Sequence, residues 1–468
     1  MSPEFPPGRL AAWTGGRWTR EPVLPITGFT PDSRMVRAGQ MFVAIKTERR
    51  DGHGFAAAAG AAGAVAALVC RPVAETELPQ LVVADPLAAF QAIAGAHRRE
   101  FPGRVIGVSG SAGKTSTKNL LAVLLGGADV LSTRGNLNNQ LGVPLTLTRL
   151  NPGVHRYAVV EAGIGAPGEM APLAAMIAPD IAIITVVAPA HLSGLGTLAG
   201  VAREKALLAA AVPAGGLAIF PSGCLDFAAF RSLTTRALVV VREPGGGSPA
   251  TKQATAHFTV EPGLNSTRLT LAYKAPPISF HLRSASEGMA QNAALALCAA
   301  LELGEDPATL QARLTAWHPS SLRGELQRAG DKLFYLDCYN ANPASMSDAL
   351  EAFGSVAPAA EPRLYVIGGM EELGAESERY HAVLGRGIRL RAQDFLFVIG
   401  EHAAAVRAGA LAGGADPGQI RVIESLEPAS ERLAAFSGAV FVKGSRRHEL
   451  EKILKGADGV RLPVEFHA

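Results

Sequence analysis

Val105-Ile106-Gly107-Val108 is followed directly by Ser109-Gly110-Ser111-Ala112-Gly113-Lys114-Thr115-Ser116. The apolar run predicts a buried strand, and the glycine-rich turn leads into a predicted helix over Lys118–Leu125. In that setting the backbone N–H groups of the turn can wrap a phosphate at the start of the helix. The lysine would reach the β- and γ-phosphates of a nucleotide, and the threonine hydroxyl would bind Mg²⁺. Val108 stands where the standard phosphate loop has its first glycine, so a glycine-rich turn that happens to carry a lysine is the alternative.

Further apolar runs predict more strands beside this turn. Tyr157–Val160 and Ile181–Ile184 are continuous and rich in β-branched residues, which is typical of a parallel sheet covered by helices on both faces. Glu161 follows the first of these runs, at the edge where open α/β sheets place their ligand chemistry. We therefore expect Glu161 to hold Mg²⁺ directly or through water. Ser232–Arg283, with short alternating runs, predicts a less regular β-rich insertion.

The flanking segments predict two more α/β units. The first has strands at Met41–Ile45 and Leu81–Val83 and helices at Phe55–Ala67 and Leu87–Arg98. Breaks in the pattern occur at Phe101-Pro102-Gly103 and at Trp317-His318-Pro319. We expect three domains: residues 1–102, a central phosphate-loop domain at 103–319, and a Rossmann-like domain at 320–468. The strands predicted for the last domain are Leu333–Leu336, Leu364–Ile367, Phe395–Ile399 and Val440–Val442.

Composition excludes several classes of protein. The 468 residues are 48% hydrophobic, which argues against intrinsic disorder, and 44 Lys and Arg against 41 Asp and Glu give no electrostatic case for nucleic acid. Four dispersed cysteines argue against a disulfide scaffold or a zinc site. We see no signal-peptide pattern and no run that could insert into a membrane, and we expect a cytoplasmic protein. Without coiled-coil heptads or a large apolar stripe, a monomer is expected.

Several separated motifs resemble one family, the ATP-dependent Mur ligases of peptidoglycan synthesis. They are the phosphate loop, Glu161-Ala162-Gly163, Ala188-Pro189-Ala190-His191-Leu192, Val201-Ala202-Arg203-Glu204-Lys205, Asp337-Cys338-Tyr339-Asn340-Ala341-Asn342-Pro343-Ala344-Ser345-Met346, Gly368-Gly369-Met370-Glu371-Glu372-Leu373-Gly374 and Val442-Lys443-Gly444-Ser445-Arg446. The resemblance spans nearly the whole chain. It implies that the first domain binds a UDP-linked muramoyl peptide, that the second binds ATP and that the third closes over the nucleotide.

The resemblance also implies roles for residues around the metal and the peptide substrate. Two Mg²⁺ ions are expected, with Thr115 and Glu161 on the first and His191 on the second, while Lys205 would be carbamylated and become an anionic metal ligand. From the residues alone, a structural histidine and an exposed helix lysine are the alternatives. Lys114, Lys205, His191 and Glu161 are the expected catalytic residues. Substrate contacts are expected from Ser33, Thr133, Asn136, Asn138 and Asn139.

Residues expected to contact ATP beyond the phosphate loop come from two domains. Asn292 would recognise adenine, Arg323 the phosphates and Asp337 the ribose, with Asn340 beside it. A helix-start residue is the alternative for Asn292, an interdomain salt bridge for Arg323, and turn formation for Asn340 and Asn342. Because these residues lie in two domains, we expect an open form in which Arg323 and Asp337 lie away from the phosphate loop until ATP binds.

The Asp337–Met346 string distinguishes the branch of the family that adds a D-alanyl-D-alanine dipeptide. The implied reaction phosphorylates the free carboxylate of a UDP-muramoyl tripeptide with ATP, and the dipeptide amine then displaces phosphate from the acyl phosphate. The sequence departs from the family at Gly288, which replaces a usual His, at Leu336 and Gly369, which replace acidic residues, and at Phe220–Gly223, which replaces a common turn. A ligase with another acceptor, such as a glutamate-adding or folate-type enzyme, and a catalytically inactive binding module are the alternatives.

Overall fold

The computed structural model describes residues 3–243, 253–263, 266–274, 276–283, 285–454 and 460. These residues form three sheets, each flanked by helices, so the predicted α/β class with three sheet-based units is confirmed. Among the described helices, none is long and apolar enough to cross a membrane. The four cysteines are free thiols.

The first sheet has five strands within the described residues, in the order β1-β5-β4-β3-β2. Only the β1–β5 pair is antiparallel there, and the other neighbours are parallel. Asp85 caps the long helix α3 by accepting a hydrogen bond from Leu87 N at 2.8 Å. The elements are α1 (Pro7–Thr14), β1 (Arg17–Trp18), β2 (Gly28–Thr30), β3 (Gln40–Val43), α2 (Ala56–Ala61), β4 (Ala66–Val69), β5 (Gln80–Val82) and α3 (Pro86–Glu100).

The central sheet has nine strands within the described residues, in the order β14-β13-β12-β11-β10-β9-β6-β8-β7. It is parallel from β7 through β12, and β13 and β14 add antiparallel strands at one edge. Apolar clusters cover both faces. The strands are β6 (Arg104–Ser109), β7 (Val130–Ser132), β8 (Tyr157–Glu161), β9 (Ile181–Ile184), β10 (Leu217–Pro221), β11 (Ala237–Glu243), β12 (Ala254–Pro262), β13 (Ser266–Ala272) and β14 (Ile278–Arg283). The helices are α4 (Lys114–Leu124), α5 (Gly142–Leu147), α6 (Met170–Ile177), α7 (Leu192–Leu195), α8 (Leu198–Ala210), α9 (Ala228–Arg231), α10 (Glu287–Glu302) and α11 (Pro307–Ala316).

The third sheet has six strands within the described residues, in the order β15-β16-β20-β17-β18-β19, and it is parallel except for the β15–β16 pair. Phe441 lies at the centre of its core, against Tyr335, Phe353 and Tyr365. The elements are β15 (Glu325–Ala329), β16 (Lys332–Asp337), α12 (Pro343–Val356), β17 (Arg363–Gly368), α13 (Ser377–Gly387), β18 (Phe395–Ile399), α14 (Ala403–Ala412), β19 (Ile420–Ile423), α15 (Glu427–Ala434) and β20 (Gly438–Lys443).

Three predicted elements differ from the structure. The helix predicted over Lys118–Leu125 begins one turn earlier, at Lys114. The helix predicted over Phe55–Ala67 ends at Ala61, because Gly63 adopts a φ of +102° and Ala66–Val69 is buried as a strand between β3 and β5. The β-rich segment predicted as an insertion is an extension of the central sheet, since β11 pairs in parallel with β10 and carries β12 to β14 outward. Parts of that segment, residues 244–252, 264–265 and 275, lie outside the described residues.

Helix α3 fastens the first sheet unit to the central one. The buried Arg98 guanidinium donates to the carbonyl oxygens of Ile177 and Ala178 at 3.0 and 2.9 Å, and to Asp180 Oδ2 at 2.9 Å. The same carboxylate accepts from Val105 N at 2.8 Å, at the start of the phosphate-loop strand. The side chains of Arg98 and Asp180 together therefore connect α3 to the end of α6 and to β6.

The third sheet unit lies closed against the central one. Asn342 Nδ2 donates to Ser111 O at 2.9 Å, and Ser193 N donates to Glu372 O at 3.1 Å. Arg323 and Asp337 consequently line the same cavity as the phosphate loop. The structure thus shows a closed arrangement, in contrast to the open one that the sequence predicts, because α12 and the loop after β17 bond directly to the central domain.

Replacing Arg98 with Ala should lower the free energy of unfolding by about 1–3 kcal/mol, since it removes the hydrogen bonds to two backbone carbonyls while Asp180 keeps Arg104 as a partner. The measurement is the urea midpoint of the full chain followed by circular dichroism. Arg99→Ala, the exposed neighbour on the same helix, is the matched control and should move the midpoint little. Equal urea midpoints for the two variants would show that the contacts of Arg98 stabilise the fold no more than an exposed arginine does.

Candidate active site

The phosphate loop has a backbone that requires glycine at two positions. Gly110 and Gly113 have φ angles of +150° and +78°. A Cβ on Gly110 would lie 1.8 Å from Thr185 Oγ1, and one on Gly113 would lie 2.5 Å from Asn292 Nδ2. Lys114 begins α4, and its Nζ donates to Gly110 O at 2.9 Å, so the side chain folds back over the loop. This is the geometry of a loop that wraps an anion at a helix N-terminus.

A chain of hydrogen bonds links the phosphate loop to the loop after β7. Thr115 Oγ1 donates to Glu161 Oε2 at 3.0 Å, and Asn138 Nδ2 donates to Glu161 Oε1 at 2.8 Å. Glu161 is buried at the carboxyl end of β8. Two oxygen donors of the kind that Mg²⁺ prefers, a hydroxyl and a carboxylate, therefore meet at the start of α4.

Thr133 and Lys118 support the backbone of Glu161 from behind. Thr133 Oγ1 accepts from Glu161 N at 2.9 Å, and Lys118 Nζ donates to Thr133 O at 2.6 Å. Both side chains are buried. The structure thus places Thr133 behind Glu161 and outside the cavity wall, because its hydroxyl is used by the β8 backbone. Sequence reasoning missed Lys118, whose signal is its position one helical turn after the phosphate-loop lysine.

Cations accumulate around Glu161. Burial lowers the pKa of Lys114, the carboxylate of Glu161 raises it and the guanidinium of Arg323 lowers it further. The same three influences act on the pKa of Lys118 in the same order. The site therefore holds an excess of positive charge that suits a polyanionic ligand.

His191 stands between the central and third sheet units. It adopts a φ of +54° immediately before α7, and its Nδ1 pairs with the carboxylate of Glu372. That hydrogen bond is the first cause of a lowered pKa for Glu372. Because Nδ1 is engaged, Nε2 is the ring nitrogen that remains for a phosphate or metal-bound ligand.

Lys205 is buried within α8, with 1% of its surface exposed. Burial lowers its pKa well below the usual value, and the positive charge of Lys114 lowers it further. Nearby Cys224 has its thiol pKa raised to about 12 by burial, so it supplies no thiolate partner at neutral pH. The exposed helix lysine considered from sequence is thus not what the structure shows, because the amine is enclosed and burial opposes its charged form.

The third sheet unit contributes the other side of the site. Lys443 Nζ donates to Asp337 Oδ2 at 2.6 Å, a contact that by itself lowers the pKa of Asp337. Burial of the carboxyl has the larger effect, so the pKa of Asp337 is raised. The Arg323 guanidinium lies 3.9 Å from the centre of the Tyr339 ring, a stacking contact and not the salt bridge considered from sequence. Asn340 Oδ1 accepts from Ala341 N at 2.9 Å, which fits a turn-forming role.

These residues surround one cavity of about 1510 Å³. Of the residues predicted from sequence, those on its wall are Ser111, Ala112, Gly113, Lys114, Thr115, Ser116, Asn136, Asn138, Asn139, Glu161, His191, Asn292, Arg323, Asp337 and Asn340. Those elsewhere are Gly110, which is the first glycine of the loop and packs against Thr185, Thr133, Lys205, and Ser33, which starts a short 3₁₀ helix in the first sheet unit. Asn342, Asp348 and Lys443 line the cavity but were not predicted as site residues, although two of them lie inside motifs matched from sequence.

The departures from the family pattern have local explanations. Leu336 is fully buried in the core of the third sheet unit, and the Gly369 carbonyl accepts from Ser445 N at 3.1 Å. Gly288 N donates to Asp348 Oδ1 at 2.7 Å. Phe220 is buried against Phe230. All four positions lie outside the phosphate loop.

A phosphate loop whose cavity is completed by a separate Rossmann-like unit defines a class of nucleotide-dependent ligases with an α/β fold. Three family models match in succession: "Mur ligase family, catalytic domain" over residues 25–98, "Mur ligase middle domain" over 108–300, and "Mur ligase, glutamate ligase domain" over 323–446. The chain belongs to the Mur ligase family.

Similar proteins of known name come from several bacteria. The chain is 32% identical over 436 residues to the UDP-N-acetylmuramoyl-tripeptide–D-alanyl-D-alanine ligase of Escherichia coli, covering 92% of this chain and 94% of the relative. It is 30% identical to the enzyme of the same name from Bacillus subtilis, with 92% and 93% covered.

Solved structures agree over the full length. A crystal structure of MurF from Acinetobacter baumannii matches with a TM-score of 0.85 and 29% identity, covering 97% of this chain and 99% of that one. MurF ligase from Thermotoga maritima in complex with ADP matches with a TM-score of 0.78 and 25% identity, covering 92% and 96%. A folylpolyglutamate synthase from Mycobacterium tuberculosis, at 17% identity and a TM-score of 0.62, shares the fold, with 81% of this chain and 95% of that chain covered.

Replacing Asn138 with Ala should raise the Mg²⁺ concentration needed for nucleotide binding about 10- to 100-fold, because Asn138 orients the carboxylate expected to hold the ion. The measurement is a Mg²⁺ titration of fluorescent ATP-analogue binding, with no peptide substrate present. Asn136→Ala, on the same loop, serves as the control and should shift the midpoint less than about twofold, as for a surface position without such a contact. A wild-type Mg²⁺ midpoint for Asn138→Ala would show that this residue does not orient a metal-binding carboxylate.

Proposed function

We propose that this protein is an ATP-dependent ligase that joins D-alanyl-D-alanine to UDP-N-acetylmuramoyl-tripeptide in the synthesis of peptidoglycan precursors. The observation that carries the proposal is one cavity lined by the phosphate loop, by the loop of Asn136–Asn139 and by the Asp337–Asn340 segment. The 32% identity to an enzyme of this name over 92% of the chain supports it.

The three units divide the work in this proposal. Residues 1–102, with Ser33, bind the UDP-linked end of the peptide substrate. Residues 103–319 bind ATP through the phosphate loop and Asn292. Residues 320–468 close the cavity with Arg323 and Asp337. Because ATP and UDP-linked precursors are cytoplasmic metabolites, we infer that the reaction takes place in the cytoplasm.

The chain's own residues must bring two anions together. A carboxylate oxygen of the tripeptide attacks the γ-phosphorus of ATP, the bond from phosphorus to the β,γ-bridging oxygen breaks, and ADP leaves with an acyl phosphate remaining. Lys114, at the start of α4, and Arg323, on the opposite wall, offset the repulsion between the substrates. The amine of the dipeptide then attacks the acyl carbon, loses a proton and expels phosphate, which forms the amide bond.

The residues beside the phosphate loop fit Mg²⁺. Thr115 and Glu161 present a hydroxyl and a carboxylate oxygen 3.0 Å apart, and Asn138 orients the carboxylate. When bound, the ion supplies positive charge at the phosphate oxygens. His191, with Nδ1 held by Glu372, would present Nε2 toward a second ion.

The environment of Lys205 supports carbamylation. Its neutral amine nitrogen would attack the carbon of CO₂, form an N–C bond and lose a proton, giving an anionic carbamate. The ammonium form is opposed by burial and by the charge of Lys114. Within the described part of the chain, no carboxylate forms an ion pair with Lys205. An anionic oxygen at this position would balance the positive charge of Lys114.

The test of the proposed function is phosphate release from ATP by the purified protein, with UDP-muramoyl tripeptide and with or without D-alanyl-D-alanine. Release that depends on both substrates, with a UDP-muramoyl pentapeptide detected by mass spectrometry, is the expected result. Turnover with a single amino acid and not the dipeptide would assign another acceptor. Absence of turnover with any acceptor, at saturating Mg²⁺ and bicarbonate, would favour an inactive binding module.

Depleting CO₂ and bicarbonate should remove most of the activity, and adding bicarbonate should restore it. At a fixed CO₂ concentration, recovery should slow less between pH 8.5 and pH 7 than carbamylation of an ordinary exposed lysine would, because burial lowers the pKa of Lys205 and more of its amine stays neutral as the pH falls. The measurement is the time course of activity after bicarbonate addition. Lys205→Arg, which keeps a cation that cannot be carbamylated, should show no recovery. Full activity in depleted buffer would rule out a carbamate requirement.

A further inference from the structure

Helix α12 of the third sheet unit contacts the nucleotide cavity at two points. At its start, Asn342 caps the helix and donates its Nδ2 to Ser111 O in the phosphate loop at 2.9 Å. Further along the same helix, the carboxylate of Asp348 accepts from Ser286 Oγ and from Gly288 N, both at 2.7 Å. A single helix therefore bonds to two separate segments of the central domain.

The second contact completes the N-terminal cap of α10. Ser286 is the N-cap of that helix, and its Oγ accepts from Met289 N at 3.0 Å. A carboxylate is favoured at a helix N-terminus, because the first N–H groups have no partner within the helix. Asp348 supplies this carboxylate from another domain. The bond is thus available only when the two domains lie together.

Helix α10 also carries the residue that packs on the phosphate loop. Asn292 is buried, and its amide atoms lie 2.5 to 2.9 Å from where a Cβ on Gly113 would be. Asn342 and Asp348 consequently contact the phosphate loop and the helix behind it, respectively. Both residues line the same cavity as Lys114.

The contact of Asp348 requires glycine at position 288. A Cβ on Gly288 would lie 2.9 Å from Asp348 Cγ and 2.9 and 3.0 Å from its two carboxylate oxygens. Any larger residue at position 288 would displace the carboxylate from the position it takes here and break its bond to the backbone of that residue. The glycine that departs from the family pattern is therefore matched to an aspartate in the domain opposite.

We infer that Asp348 is a positioning residue that holds the third sheet unit closed over the ATP site, and that Gly288 exists in this chain to admit it. The inference rests on the proposed function only in that ATP must bind in this cavity. Closure through Asp348 keeps Arg323 and Asp337 opposite Lys114.

Asp348→Ala should weaken binding of a non-hydrolysable ATP analogue about tenfold, because two hydrogen bonds to a charged group are lost from the closed form. The variant should also show a larger radius of gyration than the wild type by small-angle X-ray scattering at saturating analogue. Asp348→Asn, which keeps an acceptor for Gly288 N and a donor for Ser286 Oγ, should restore most of both. Glu351→Ala, an exposed position on the same helix, is the matched control and should behave as the wild type.

A double-mutant cycle tests the pairing directly. Gly288→Ala alone should weaken analogue binding at least as much as Asp348→Ala, through the steric conflict. In the double variant the conflict is gone, so its affinity should equal that of Asp348→Ala alone. Strict additivity of the two losses would overturn the dependence of one residue on the other.

A thermal melt separates positioning from stability. If Asp348→Ala lowers the melting temperature but leaves analogue affinity and scattering unchanged, the residue has a structural role only and the inference fails. These readouts need neither peptide nor dipeptide. A protein that binds the analogue normally but makes no pentapeptide would overturn the proposed function and leave the role of Asp348 intact.

Discussion

Lys114 and Lys118 lie one turn apart on α4 and share one carboxylate, that of Glu161. Its negative charge raises the pKa of both lysines against the effect of burial, and Arg323 adds a third positive charge to the same neighbourhood. The single negative charge of Glu161 cannot neutralise these cations. The chain accordingly fixes Glu161 through side chains on the phosphate loop and on the loop after β7, and through its own backbone. The remaining imbalance is what a triphosphate and a substrate carboxylate would neutralise.

The hydrogen bonds that close the third sheet unit are polar contacts near the cavity, and Tyr380 of α13 adds an apolar contact with the central core. Hydrogen bonds at Ser111, Ser193 and Gly288 and the His191–Glu372 pair involve backbone groups and short side chains near the cavity. An interface of this kind exchanges its hydrogen bonds with water at little net cost, so it suits a domain that opens and closes. The Arg98 ion pair is different, because it is buried beneath α3 and fixes the first sheet unit to the central one.

The sequence predicted those parts of the fold and site that depend on local chemistry. The phosphate loop, the strand before it and Glu161 at the end of β8 follow from glycine, lysine and β-branched patterns that operate over a few residues. The role of Thr133 could not be predicted in this way, because its hydroxyl accepts a hydrogen bond from β8, a strand that is adjacent to it only in the folded sheet. Asp348 could not be found from spacing, since its partners lie sixty positions earlier and in another unit. Edge strands such as β15, half exposed along their length, carry too weak an apolar pattern to be recognised.

The fit between Gly288 and Asp348 bears on how such a chain can exchange parts during evolution. Each residue belongs to a different unit, and the position that the Asp348 carboxylate takes leaves no room for a side chain at position 288. A gene that recombined between these units with a relative carrying a larger residue at position 288 would bring two incompatible surfaces together at its nucleotide site. Recombination between the units should therefore succeed most readily when both parents carry glycine at position 288, even though each unit has its own core.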